Sequence, residues 1–307
     1  MHWKTAPLAL LYAMAAIGSG QTQPPLFVYT PIDVPGANWT GPFGISDAGV
    51  VVGYYATPAQ TCGFTWRRGD AAHASIRIEN ATYTFAIGIN NAGEVVGWYG
   101  TSDGKTHGFL WRNGIHMPID APDAACTTAD GINDSGRIVG AFRATCPPAS
   151  PAGSGLKGYI FFHQDLQEIT VSGAVWTFSR GINGRGDIVG YYSDASGKIH
   201  GFLFEKNAWP PQVIDFPGAA QTEATGINDY GEIVGRYKAT PDPKVQDWHG
   251  FLRTRFGDYC TVDVDFPGVL YTRARGINNA GQIVGDYQPA SGGRRGFVAD
   301  PAPGHLW

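Results

Sequence analysis

One pattern of apolar and polar positions recurs six times along the chain. It starts with glycine and isoleucine, crosses a short polar stretch that ends in glycine, and continues as a β-branched and aromatic run. The copies are GISDAGVVVGYY from Gly44, GINNAGEVVGWY from Gly88, GINDSGRIVGAF from Gly131, GINGRGDIVGYY from Gly181, GINDYGEIVGRY from Gly226 and GINNAGQIVGDY from Gly276. Repetition at a period of about 45 residues predicts an array of equivalent supersecondary units, numbered here repeats 1 to 6.

Each repeat contains four segments with the character of β-strands. A short strand enters the motif, and Asn or Asp followed by glycine makes the turn into the IVGxY strand. A third strand is typified by HGFLW and a fourth by IDFPGA, with polar turns between them. Four antiparallel strands in each repeat predict the blade of a β-propeller.

The two ends of the chain predict how the ring closes. Repeat 6 stops after its third strand, RRGFVAD, whereas a lone fourth-strand sequence, YTPIDVPGA at 29–37, precedes repeat 1. A bare sheet edge invites pairing with other chains, so the N-terminal strand is expected to complete the last blade. The sequence therefore predicts an all-β, six-bladed β-propeller of four-stranded antiparallel blades.

Composition and the N-terminus narrow the class of protein. The 307 residues include 43 glycines and 21 prolines, and only 16% are charged, which suits short strands and tight turns. A net charge of -4 without blocks of like charge gives no indication of nucleic-acid or membrane binding. Lys4, the apolar run 6–17 and the small residues 18–20 predict a signal peptide at 1–20. We expect a secreted, extracellular or periplasmic monomer whose single propeller domain spans 21–307.

The combined motifs GIN, NxG, IVGxY, HGF and IDFPGA resemble the HAF family of extracellular repeats. The resemblance covers essentially the whole chain after the signal peptide, and it implies secretion and tandem repeats in bacterial proteins. It supplies no activity and no catalytic residues. Repeat 1 departs from the pattern at Ser46 and Cys62, and repeat 3 departs in KGYIFF and EITVSGA.

Two sets of polar positions recur on the third and fourth strands. The first set, before the Gly-Phe or Gly-Tyr pair, is Cys62, His107, Lys157, His200, His249 and Arg295. The second, in the same order of repeats, is Glu79, Asp120, Thr170, Asp215, Asp265 and, from the N-terminal strand, Asp33. The histidines could be metal ligands or an anion site, or each base could pair with the acid of the neighbouring strand. Histidines on separate blades cannot converge on one ion, so pairing is favoured and no metal or cofactor is predicted.

Residues that the repeats do not share are the candidates for function. On the strand entering the motif, the positions one and three before the glycine vary, and strand alternation places both on one face. The candidate ligand-binding residues at these positions are Asp130, Arg180, Glu223, Arg273, Arg275 and Phe85. If that face borders the central channel, the arginines suit an anionic ligand with an apolar side, such as an acidic sugar. The alternative is that these charges neutralise one another.

Three classes of function remain open on the sequence. The first is a binding module for acidic extracellular polysaccharide or a cell-surface protein. The second is a polysaccharide lyase or hydrolase at the channel, for which Glu223 and Asp130 are the carboxylates available. The third is a structural surface protein. No GxSxG, HExxH or P-loop motif occurs to identify a catalytic residue.

The four cysteines give two separate expectations. Cys126 and Cys146 flank the inner hairpin of repeat 3 at similar distances from its turn, which predicts a disulfide between them. Cys62 and Cys260 fall in repeats that are not neighbours in the predicted ring, so we expect no bond between these two.

Overall fold

The four strands of each repeat form an antiparallel meander, and the repeats follow one another around a central axis in an all-β propeller. The computed structural model describes residues 27–70, 72–146, 155–206, 208–242, 244–263 and 268–303. The predicted signal peptide at 1–20 lies outside the described residues. Among the residues described, no helix has the length and apolar character needed to cross a membrane.

Each repeat contributes one strand to each of four concentric positions. The innermost strands are β2 (Trp39–Ile45), β6 (Tyr83–Ile89), β10 (Cys126–Ile132), β14 (Trp176–Ile182), β18 (Gln221–Ile227) and β22 (Val269–Ile277). The second strands are β3 (Val50–Ala56), β7 (Val95–Gly100), β11 (Ile138–Arg143), β15 (Ile188–Ser193), β19 (Ile233–Lys238) and β23 (Ile283–Pro289).

The third and outermost strands follow in the same order. The third strands are β4 (Thr61–Arg67), β8 (Thr106–Arg112), β12 (Lys157–Phe162), β16 (Ile199–Phe204), β20 (Trp248–Arg253) and β24 (Arg295–Pro301). The outermost strands are β5 (Ala74–Ile76), β9 (Ile115–Ile119), β13 (Asp165–Ile169), β17 (Gln212–Ile214), β21 (Tyr259–Thr261) and, for repeat 6, the N-terminal β1 (Phe27–Ile32). The N-terminal strand β1 pairs antiparallel with β24, so the first described residues complete the sheet of the last repeat.

The sequence prediction of six separate four-stranded blades is wrong. In the described residues, four sheets are separate four-stranded blades, whereas the strands of repeats 2 and 3 form one eight-stranded sheet. The two repeats are joined because Cys126 at the start of β10 pairs in parallel with Thr106 at the start of β8. The prediction assumed that strands pair only within a repeat, and it therefore missed this pairing between two repeats.

The GIN glycines allow the inner strands to approach closely. A Cβ atom on Gly276 would lie 2.5 Å from the carbonyl oxygen of Phe43, and one on Gly131 would lie 2.8 Å from that of Arg180. Real Cβ atoms essentially never come that near to backbone. Glycine recurs at this position because each inner strand packs its backbone against the backbone of the next.

The asparagines of GIN connect neighbouring repeats in addition to capping their own turns. The Oδ1 atom of Asn133 accepts a hydrogen bond from the backbone N–H of Arg137, which closes the hairpin turn. Its Nδ2 donates to the carbonyl oxygen of Asn183 in the next repeat, at 2.9 Å. Asn278 makes the same bond to Ser46 at 3.0 Å and so joins repeat 6 to repeat 1.

The hydrophobic core lies between neighbouring sheets. The aromatic residue of each HGF motif is fully buried there, as for Phe109 and Phe251, and it packs against the alanines and valines of adjacent strands. Repeated threonines form hydrogen bonds with the backbone of the loop that precedes the inner strand. The hydroxyl oxygen of Thr127, for example, accepts a hydrogen bond from the backbone N–H of Ala121, with the oxygen and nitrogen 3.0 Å apart.

Only one pair of cysteines is joined. Cys126 and Cys146 form a disulfide across the β10–β11 hairpin, with their Cα atoms 5.4 Å apart. Cys62 and Cys260 carry free thiols. Burial raises the pKa of Cys260 to about 11, so this thiol is protonated and unreactive at neutral pH.

Candidate functional site

The channel along the propeller axis is divided into two cavities by a ring of apolar side chains. This ring contains one isoleucine from each repeat: Ile45, Ile89, Ile132, Ile182, Ile227 and Ile277. On the side of the GIN turns, a small cavity is lined by asparagines and aspartates. These are already bonded to one another; the amide of Asn91, for example, donates to both Asp47 and Asp134.

The cavity on the other side of the isoleucines, here called the axial cavity, has a volume of about 100 Å³. It is lined by the residue that precedes each GIN glycine: Phe43, Ile87, Asp130, Arg180, Thr225 and Arg275. In every inner strand this residue lies on a β-bulge, where the pairing with the second strand shifts by one position. A bulge redirects a side chain, so these six variable residues project toward the axis.

Because of the bulge, the residues one and three positions before the glycine do not share a face, contrary to the prediction from strand alternation. Asp130, Arg180 and Arg275 line the axial cavity, but Glu223 and Arg273 do not. The latter two are buried against the second strands, where Glu223 lies opposite Arg236 and Arg273 lies opposite Asp286.

Sequence reasoning missed Arg236 and Asp286, which occupy the x position of IVGxY. That position reads Tyr54, Trp98, Ala141, Tyr191, Arg236 and Asp286 in repeats 1 to 6. The residue at this position varies among the repeats, whereas its neighbours in the motif are constant. The same kind of variation identified the inner-strand candidates, so it could also have identified Arg236 and Asp286.

The charged side chains beside the channel in repeats 3 to 6 form ion pairs, in which the four guanidinium groups of Arg180, Arg236, Arg273 and Arg275 face the three carboxylates of Asp130, Glu223 and Asp286. Arg180 pairs with Asp130, whose other oxygen accepts the hydroxyl of Thr128 at 2.6 Å. The Arg236 Nε donates to Glu223 at 2.8 Å. Most of the channel charge is therefore neutralised, as the alternative interpretation of the sequence proposed.

The surplus positive charge belongs to the group in which Arg273 and Arg275 share Asp286. Arg273 Nε lies 2.9 Å from one carboxylate oxygen, and Arg275 Nε lies 2.9 Å from the other. Within the described residues, the Nη1 and Nη2 atoms of Arg275 make no hydrogen bond. Its guanidinium stacks on the ring of Phe43, with Cζ 4.7 Å from the ring centre.

The pKa shifts reflect this uneven neutralisation. Burial lowers the pKa of Arg275 to about 9; Asp286 opposes the shift, and Arg236, Arg273 and Arg180 add to it. Arg275 is therefore charged at neutral pH but incompletely compensated. The pKa of Asp286 is lowered although burial raises it, because Arg275 and Arg273 together outweigh burial. Burial raises the pKa of Asp130 despite its contact with Arg180.

A group of aromatic side chains extends outward from the axial cavity through repeats 1 and 2. This aromatic wall consists of Trp39, Phe43, Tyr54, Tyr83, Phe85 and Trp98. Phe85 lies at its centre, with ring centres 4.1 Å from Trp98 and 4.2 Å from Tyr54. Most of these rings are partly exposed, and the guanidinium of Arg294 covers Trp39 at 4.2 Å. Arginines and partly exposed aromatic rings therefore share one end of the channel.

The recurring histidines lie far from this site and pair with acids. His107 Nδ1 is 2.9 Å from Asp120, and His200 Nδ1 is 2.7 Å from Asp215. His249 bonds to Asp263 at 2.9 Å. The partner expected for it from the sequence, Asp265, lies outside the described residues.

The remaining repeats show how the pairing varies. Lys157 bonds to Glu168 at 2.8 Å, two positions from the expected Thr170, and Arg295 bonds to Asp33 at 2.8 Å. In the part of the chain that the structure describes, no group of three or more His, Cys, Asp or Glu side chains could hold a metal ion.

Replacing His200 with glutamine is expected to lower the free energy of unfolding by less than about 1 kcal/mol, because partly exposed cross-strand pairs contribute little. Its ring also stacks on Tyr192, with the ring centres 5.3 Å apart. Urea denaturation would measure the change. A loss of ligand binding without a loss of stability would show that these pairs have a functional role.

Comparisons with known proteins show the fold but no family. No protein-family model matches the chain, and no curated protein matches it. Among solved structures, TolB from Acinetobacter baumannii is similar, with 11% identity and a TM-score of 0.51 over 81% of this chain; the chain spans 63% of TolB. An Aleuria aurantia lectin mutant bound to Fucα1-6GlcNAc shares 11% identity over 85% of this chain and 93% of the lectin, with a TM-score of 0.52.

An enzyme shows the same degree of likeness. A gluconolactonase from Xanthomonas campestris has 12% identity and a TM-score of 0.50 over 86% of this chain and 87% of its own. At these identities the likeness extends to the propeller fold alone. A propeller does not by itself distinguish binding from catalysis.

Proposed function

We propose that this protein is a secreted binding module that recognises acidic extracellular glycan at the arginine and aromatic end of its channel. The observation that carries the proposal is Arg275. This buried cation has two terminal nitrogens without a hydrogen bond in the described residues, and it lines a cavity beside Phe43 and Arg180. A carboxylate that entered the cavity would supply the missing acceptors, and such charge-assisted bonds are strong.

The size of the axial cavity limits how the ligand can bind. About 100 Å³ holds a carboxylate group but not a sugar ring, because sites for whole small molecules start at roughly 300 Å³. The ring carrying the carboxylate would remain outside and pack on the aromatic wall. This arrangement favours an acidic unit at a chain end or on a branch over an internal unit of a linear polymer.

The contacts of the acidic side chains favour binding over catalysis. The two carboxylates considered as catalytic groups for hydrolysis already have partners in the protein. Glu223 forms an ion pair with Arg236, and Asp130 bonds to Arg180 and Thr128. Both are buried, with 4% and 3% of their surface exposed. The lectin among the similar structures is an example of a propeller that binds saccharide. Membership of the HAF family and a monomeric state are part of the same proposal.

Replacing Arg275 with methionine is expected to weaken binding of an oligogalacturonide by roughly 10- to 100-fold, the effect of losing charge-assisted hydrogen bonds. Methionine keeps most of the contact with Phe43, and Asp286 keeps Arg273 as its partner. Isothermal titration calorimetry at low and high salt would measure the change.

A matched control separates local binding from bulk charge. Arg295 is also an arginine in an ion pair, but about half of its side chain is exposed, at the start of the third strand of repeat 6, where it pairs with Asp33. Replacing Arg295 with methionine should leave affinity within about twofold, since distant exposed charges are largely screened. Equal losses in the two variants, or no binding by the wild type across acidic glycans, would contradict the proposal.

A further inference from the structure

A further cavity, outside the channel, lies on the opposite face of the ring from the axial cavity, where repeat 1 meets repeat 6. This seam pocket has a volume of about 320 Å³ and is lined by Asp47, Trp66, Arg67, Arg68, Gln282 and Val298, among others. Asp47 belongs to the GIN turn of repeat 1, whereas the axial cavity opens at the other end of the inner strands. The two cavities are therefore separate, and the seam pocket is not part of the function proposed above.

An unbalanced arginine distinguishes this pocket from its counterpart in repeat 2. There, Glu94, immediately before the second strand, forms an ion pair with Arg112 at the end of the third. In repeat 1 the corresponding residues are Val50 and Arg67, which lie opposite each other in the β3–β4 ladder. Valine offers no acceptor, and the guanidinium of Arg67 has no hydrogen bond or ion pair in the residues described.

The other groups of the pocket supply an aromatic surface and oxygen acceptors. Trp66 is partly exposed beside the core cluster that contains Ile45 and Val298. Asp47 lines the pocket and already accepts hydrogen bonds from Asn91 and Asn279, which leaves its carboxylate room for one further donor. Arg68 bonds to Asp300 across the seam. Arg67 forms no direct ion pair within the described part of the chain, but Arg67 and Arg68 together carry two positive charges and Asp47 and Asp300 carry two negative ones, so an anion would gain little from binding here. A neutral ring with several hydroxyl groups matches the alternating donors and acceptors, and its apolar face suits the indole.

We infer that the seam pocket binds a neutral monosaccharide unit, with the sugar ring stacked on Trp66 and its hydroxyl groups bonded to Arg67 and Asp47. The volume is within the range of small-molecule sites, at its lower end. Together with an acidic unit at the axial cavity, the protein would engage saccharide on both faces of the propeller.

The test uses neutral methyl hexosides, namely the glucoside, galactoside, mannoside and fucoside, in equilibrium dialysis with the full protein. At least one is expected to bind the wild type. V50E introduces the glutamate that repeat 2 has at this position, and this glutamate should form an ion pair with Arg67. The variant should therefore bind the hexoside roughly 10- to 100-fold more weakly than the wild type. V50Q has the same shape without the charge and should stay within about threefold of the wild type. W66A would also weaken binding, but it removes core contacts, so V50E is the decisive variant.

Two outcomes would overturn the inference: no hexoside bound by the wild type, or equal affinity in V50E and the wild type. R275M separates this site from the axial cavity. It should leave hexoside binding unchanged, so failure of the acidic-glycan proposal would not imply failure of the seam pocket. Loss of hexoside binding in R275M would place the sugar at the axial cavity and would also overturn the inference.

Discussion

Replacing Asp286 with alanine is expected to lower the free energy of unfolding by about 3 to 5 kcal/mol, the usual cost of removing one member of a buried charge group. Asp286 has no exposed surface, and it is the carboxylate partner of both Arg273 and Arg275. Without it, two guanidinium groups would remain in the interior with no compensating charge. Urea denaturation followed by circular dichroism would measure the loss.

Two further variants make this result interpretable. Asp33 is also an aspartate paired with arginine, but nearly half of its side chain is exposed, so its replacement by alanine should cost less than about 1 kcal/mol. Combining Asp286→Ala with Arg275→Met should recover part of the lost stability, because one of the two uncompensated cations is removed. Equal effects of the Asp286 and Asp33 substitutions would mean that the buried charges are solvated in a way the structure does not show.

The ion pairs of Asp286 with Arg273 and Arg275 make the free energy of unfolding depend on pH, and the pKa of Asp286 determines the sign of this dependence. Because that pKa lies below its ordinary value of 3.8 in the folded protein, Asp286 contributes stability above pH 3.8 that is lost as the pH falls through the folded value. Asp130 acts in the opposite direction, because burial raises its pKa and its contribution declines as the pH rises above 3.8. Stability in Asp286→Asn should therefore change less below pH 4 than stability in the wild type.

The parts of the fold that depend on local repetition could be predicted from the sequence. The turn chemistry of GIN and NxG determines the hairpins, and the pairing of His107 with Asp120 follows from their positions on neighbouring strands. The all-β propeller is confirmed. The count of separate blades is wrong because one parallel pair, Cys126 with Thr106, links repeats 2 and 3, and sequence periodicity carries no information on pairing between units.

The candidate site could be predicted only in part, for a different reason. Arg275 and Arg180 were found because they vary where other positions are constant. The β-bulge beneath them was not, since it depends on the register between two strands and not on residue type. Asp286 was missed as well, because nothing in its own repeat shows that it lies opposite Arg273 and pairs with both Arg273 and Arg275. Single-sequence patterns locate variable positions but do not say which of them meet.

Replacing Gly276 with alanine is expected to lower the free energy of unfolding by about 3 kcal/mol, the upper end of the usual cost of overpacking. The added Cβ would lie 2.5 Å from the carbonyl oxygen of Phe43 and 3.3 Å from the Cα of Gly44. Both contacts are with backbone, so no side-chain rotation can relieve them. Because the inner strands form a closed ring, separating β22 from β2 also requires movement at the other contacts between inner strands.

Gly41 provides the matched control, since it lies on β2 itself. A Cβ at that position would meet side-chain atoms of Trp39 and Phe43 at 3.1 and 3.2 Å, and these can move aside. Gly41→Ala should therefore cost less than about 1 kcal/mol, partly offset by the lower entropy of its unfolded chain. Thermal and urea unfolding of the two variants would compare them; equal losses would contradict the close backbone packing at the seam.

The substitution at Gly276 also tests how the ring supports the candidate site. Phe43, whose carbonyl oxygen would be displaced, carries the aromatic ring on which Arg275 stacks. A shift of this strand would separate Arg275 from Phe43 even in molecules that remain folded. Gly276→Ala should therefore weaken oligogalacturonide binding at temperatures well below its unfolding transition. If the Gly276 variant is destabilised but binds normally, the axial cavity does not depend on the closure between repeats 6 and 1.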